Sequence, residues 1–135
     1  MATVSDYIQA SLRLTGILGE SDSVSAEQGA NGLTVLNDMI GMMRGEGIEI
    51  GIAPQSSTTA TLLVPEEDRL GLKHIFAVYL CLNYRREVPE SIAALGDVFY
   101  KKALRRSVLS NALGNYPAMP LGAASPSTYN ILNGQ

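Results

Sequence analysis

The sequence predicts a mainly α protein: a small helical bundle of about four helices, with a short β hairpin or strand insertion and an extended C-terminal arm. Three observations lead there. Apolar residues recur at helical spacing in four separate stretches, two of those stretches open with a capping-box pattern, and no charged side chain occurs after residue 110. The expected division is a helical bundle domain over 1–110 and an arm over 111–135, with room in 135 residues for a single core.

The first helix is announced by Thr3-Val4-Ser5-Asp6. Thr3 accepts from a free backbone amide and Asp6 sits at the positive end of the helix dipole. Tyr7, Ile8, Leu12 and Ile17 then recur at helical spacing, and Gly16 and Gly19 bring the pattern to an expected end near residue 18. Ser25-Ala26-Glu27-Gln28 is a second capping box, followed by an apolar stripe of Leu33, Leu36, Ile40 and Met43. Gly29, Gly32 and Gly41 each lower the propensity of this helix by up to ~1 kcal/mol, so packing has to hold it.

From Gly45 to Val64 the helical pattern is broken by Gly45, Gly47, Gly51 and Pro54, and the threonine-rich run 58–64 reads as a strand or hairpin. Glu66, Glu67 and Asp68 then open a third helix. Apolar residues from Leu70 to Leu82 surround it, as expected of a helix in the middle of a bundle. Pro89-Glu90 starts a fourth helix with proline in the first turn, and Ile92, Leu95, Val98, Phe99, Ala103 and Leu109 form its expected buried stripe. Beyond it, Leu113, Tyr116, Met119, Leu121, Tyr129, Ile131 and Leu132 lie among prolines 117, 120 and 126. A solvated tail is normally charged or polar; this one is built to lie against something.

Hydrophobic residues make up 46% of the chain and charged residues only 17%, below the roughly 25% usual for globular proteins, which points to surface covered by partners. A net charge of -3 argues against a nucleic-acid-binding domain. The charge is segregated: residues 1–68 hold ten acids and two bases, and residues 69–135 three acids and eight bases. Two solvated faces within one monomer, or head-to-tail packing of copies, both account for this. No membrane is expected as a partner, because the longest apolar run, Ile75 to Leu82, falls far short of the ~20 residues a span requires. The start of the chain shows no basic stretch leading into an apolar one, so the cytoplasm is the expected site of synthesis.

No catalytic, cofactor or metal site is expected. His74 has no nucleophile placed by motif, Cys81 stands in an apolar run that makes it a core thiol, and the glycines of 41–51 match no phosphate-binding loop. Glu46 with Glu49, or Glu66, Glu67 and Asp68, are the carboxylates a glycosidase pair would draw on. Lys101, Lys102, Arg105 and Arg106 form two basic ridges at i, i+4 spacing, suited to an acidic protein face in another subunit or partner, or to DNA in a channel.

The segment Tyr116-Pro117-Ala118-Met119-Pro120-Leu121-Gly122 resembles a Tyr-Pro-x-x-Met-Pro-x-Gly motif, one residue shorter between the first proline and the methionine. That motif belongs to the head-to-tail adaptors of short-tailed bacteriophages, also called tail accessory factors or packaged-DNA stabilisation proteins. The leucine-glycine ending of the first helix (Leu12, Leu14, Gly16, Ile17) and the run Leu36 to Met43 are similar too. The resemblance implies a homo-oligomer ring of about twelve copies between the portal protein and the tail nozzle, extending the DNA channel and retaining packaged DNA. It implies an arm that binds portal through Tyr116, Pro117, Met119, Pro120, Leu121, Gly122, Tyr129, Ile131 and Leu132. Tail fibres are further possible partners, DNA passes without sequence-specific binding, and the expected location is the neck of the virion. A neck or head-completion protein of a long-tailed phage would share the helices but lack the portal-binding arm, and a cell-wall glycan hydrolase would bring two carboxylates into one cleft.

Overall fold

A computed structural model describes residues 2–115, with side chains through residue 109. It contains four helices: α1 (Val4–Thr15), α2 (Ala26–Gly45), α3 (Glu66–Asn83) and α4 (Glu90–Asn115). The chain divides into two units, Met1–Leu104 and Arg105–Gln135, and the first carries the core.

Both capping boxes form. Thr3 Oγ1 accepts from the Asp6 amide at 3.2 Å while Asp6 Oδ2 accepts from the Thr3 amide at 2.9 Å, so aspartate serves where glutamate is usual. Ser25 and Gln28 make the same reciprocal pair at 3.2 and 3.0 Å. α1 stops at Thr15, three residues before the expected end, because Gly16 takes a left-handed φ of 79° that only glycine adopts cheaply.

The helices meet through the expected faces. Tyr7, Ile8 and Leu12 of α1, Leu36, Met39, Ile40 and Met43 of α2, and Leu72, Ile75, Phe76 and Leu80 of α3 are buried together. Two glycines set how closely the helices pack. A methyl group on Gly32 would stand 2.7 Å from Ile8 Cγ2, and one on Gly71 would stand 2.8 Å from both Cβ and Cγ of Phe99. Residues that weaken α2 and α3 as isolated helices therefore admit side chains from α1 and α4 into close contact.

Three expectations about pairing and burial are also corrected. No hairpin forms among the described residues: the run 58–64 pairs instead with the segment entering α1, through one antiparallel bridge between Thr3 and Thr61. Val4 and Ser5 donate to the carbonyls of Ala60 and Thr58 at 2.9 Å, and Leu62 donates to Ala2 at 3.0 Å. The glycine- and proline-broken stretch before it supplies no second strand. It is held to α2 by Asn37, whose amide exchanges two 2.8 Å hydrogen bonds with the Gln55 backbone, and it sinks Ile48 and Ile52 into the core. Second, α3 is not apolar-buried on every side; Leu70 and Leu82 are each 60% exposed. Third, the buried stripe of α4 is narrower than expected, comprising Ile92, Phe99 and Ala103, while Val98 and Leu109 face outward.

α4 also continues to Asn115, so residues 111–115 of the expected arm are helical rather than extended. No proline intervenes before Pro117, and Tyr116, the residue before it, is where a following proline disfavours helix.

Candidate functional site

The described part of the expected site is the basic ridge of α4, of which Lys101 and Lys102 are oriented by the packing of the first half of that helix on α3. Gly96 lets α4 approach α3 closely: a methyl there would lie 3.3 Å from Ile75 Cα. That approach, with Phe99 against Gly71, turns Lys102 toward the start of α3 and Lys101 toward solvent.

Lys102 Nζ lies 3.6 Å from Asp68 Oδ1, the lysine side chain 44% exposed and the aspartate only 5%. A buried carboxylate is stable only when its charge is met, so this lysine serves the monomer's own fold. Lys101 pairs with Asp97 one turn back at 3.0 Å, both ends in solvent, a contact worth ~0.3–0.5 kcal/mol. Arg105 and Arg106 are exposed and belong to the second unit. Tyr116, Pro117, Met119, Pro120, Leu121, Gly122, Tyr129, Ile131 and Leu132 lie outside the described residues.

The burial of Asp68 was missed, although a signal for it stands in the sequence. Asp68, Leu72, Ile75 and Phe76 fall at i, i+4, i+7 and i+8, which puts the aspartate on the apolar stripe rather than beside Glu66 and Glu67 in solvent. A second cross-helix polar contact has no such signal: Tyr100 Oη donates to Glu46 Oε1 at 2.8 Å, bridging positions 54 apart in the chain.

The remaining chemistry-bearing groups are dispersed. His74 Nδ1 lies 2.8 Å from the Leu70 carbonyl one turn earlier. Cys81 is fully enclosed, and burial pushes its thiol up, partly opposed by the Arg86 charge. Glu49 pairs with Arg44 at 3.7 Å while Glu46 accepts from Tyr100, and the grooves along α1, α3 and α4 are each lined by no more than one carboxylate. Among the described residues no cluster of three metal-ligating side chains occurs, and no helix is long and apolar enough to cross a membrane. Comparison with known protein families, with curated proteins and with solved structures found no match.

Proposed function

We propose that this chain is a structural virion protein, the head-to-tail adaptor of a short-tailed bacteriophage. In this reading copies form a ring between portal and tail nozzle, extend the DNA channel and help retain packaged DNA. The observation that carries the reading is the Tyr116–Gly122 segment, set within a charge-free tract of aromatic, aliphatic and proline residues that follows a helical bundle. Such a tract gains by burial against a partner, since Tyr116, Met119 and Leu121 can each contribute on the order of 1–3 kcal/mol before ordering costs. Prolines 117, 120 and 126 reduce the entropy lost on docking. Charge segregation along the chain supports packing of copies side by side, and an acidic first half lining the channel would let DNA slide without sticking.

The test is capture of the full-length protein by portal-containing heads. Tyr116→Ala, Met119→Ala and Leu121→Ala combined should abolish capture while leaving the helical circular dichroism and melting midpoint of the bundle unchanged. Normal capture by the triple variant refutes the assignment of this tract to portal.

A further inference from the structure

Beside the contact of α4 with α3 lies a groove of about 210 Å³ whose floor includes Val78, Ala93 and Gly96. Its walls carry the rings of Tyr79 and Tyr100 and the carboxylate of Asp97. Glu46, on the turn after α2, is drawn to the same place by the hydrogen bond from Tyr100; partial burial of Tyr79, and then the Glu46 charge, push the Tyr79 hydroxyl upward. Two tyrosine rings, one lining carboxylate and a second carboxylate hydrogen-bonded to Tyr100 at the rim, beside apolar residues, suit a planar guanidinium: it stacks on tyrosine and forks to carboxylate oxygens, which a compact ammonium does less well. Lys101 meets Asp97 from the exposed side, in a pair weak enough for a better-placed cation to displace.

The same molecule carries a guanidinium donor. α3 ends in a Schellman turn, with Arg86 donating to the Cys81 carbonyl at 2.8 Å and Arg85 to Leu82 at 3.2 Å. The left-handed position in that turn, normally glycine, is occupied by Arg85 at φ 58°, the one non-glycine residue with positive φ among those described. Placing arginine there strains the backbone, and strain of this kind concentrates where a side chain is needed for contact. Arg85 and Arg86 are both exposed, and neither side chain makes a hydrogen bond or ion pair among the described residues.

We propose that the Tyr79–Tyr100 groove is a self-association site that receives the Arg85–Arg86 turn of a second copy of this chain, Glu46 and Asp97 meeting the incoming guanidinium. Local charge favours this occupant: Asp97 in the groove and Glu46 at its rim are acidic, the exposed Arg85–Arg86 turn is basic, and one copy supplies what another accepts. The assignment does not rest on the adaptor reading, since capture by heads reports on the C-terminal tract and self-association reports on this groove.

Sedimentation velocity on the full-length chain, from micromolar to millimolar, tests it. Wild type is expected to associate in a concentration-dependent way that weakens with salt. Arg85→Gly with Arg86→Ser, or Glu46→Gln with Asp97→Asn, should each weaken association about 10-fold, the loss of roughly 1.4 kcal/mol of charge-assisted contact. The glycine variant suits the turn and should melt no lower than wild type, so loss of association cannot be attributed to unfolding. Copies carrying Arg85→Glu and Arg86→Glu, mixed with copies carrying Glu46→Arg and Asp97→Arg, should associate where neither does alone. A wild type that stays monomeric throughout overturns the assignment. So do Arg85→Gly, Arg86→Ser copies that associate as wild type does, and failure of the mixed pair to associate with both variants folded by circular dichroism.

Discussion

Replacing Gly71 by alanine should destabilise this protein even though alanine is the better helix former by ~1 kcal/mol. The added methyl would stand 2.8 Å from Phe99 Cβ and Cγ, and Phe99, only 4% exposed, is walled in by the core. Because the clash reaches Phe99 Cβ, next to the α4 backbone, rotating the ring does not relieve it. Overpacking of this kind costs typically ~1–3 kcal/mol, so after the gain in propensity of ~1 kcal/mol the net loss should reach up to about 2 kcal/mol. For a chain of this size that lowers the melting midpoint by up to about 10 °C. Gly41→Ala is the internal control: nothing lies within 4 Å of its added methyl, so the same substitution there should stabilise by up to ~1 kcal/mol. Urea unfolding of both variants, of Phe99→Ala and of Gly71→Ala with Phe99→Ala measures the difference. The smaller side chain should make the methyl less costly, giving a coupling of ~0.5 kcal/mol or more. If Gly71→Ala stabilises as Gly41→Ala does, α3 and α4 do not approach each other in the way the packing argument requires.

Two further outcomes follow from the buried groups. Lys102→Met removes the cation 3.6 Å from buried Asp68 and should cost about 1–3 kcal/mol, the lower end reflecting the exposure of the lysine, whereas Lys101→Met should change the urea midpoint by less than ~0.5 kcal/mol; equal effects would sink the distinction. Burial raises the Cys81 thiol, so the folded protein holds it neutral at pH values where the unfolded chain ionises it; stability from this source is complete below about pH 8 and declines as pH rises further, with buried Tyr7 and half-buried Tyr79 acting in the same direction at higher pH. A thiol reagent should accordingly label Cys81 only as fast as the protein unfolds, and the pH-dependent decline should be smaller in Cys81→Ala; labelling at pH 8 as rapid as in urea would refute the enclosure.

What the sequence determined by itself is local in origin. The Thr3 and Ser25 caps place the starts of α1 and α2 because each is a contact between residues three apart, and the apolar spacing of Leu36 to Met43 and of Leu72 to Leu80 marks faces that are in fact buried. The basic residues of α4 and the Tyr116–Gly122 segment stand in the sequence as spacing and composition, the latter outside the described residues. The tertiary structure decided everything that joins distant positions. It chose the residues before α1, not a hairpin partner, to pair with 58–64, and it spent Lys102 on Asp68 inside the monomer. It converted Gly32 and Gly71 from helix-weakening residues into sites of close approach, and left Leu70 and Leu82 in solvent despite their place in an apolar run. The physical reason is that caps and periodicity act within a turn or two of chain, while burial depends on which faces of several helices meet, and that follows from packing all of them at once.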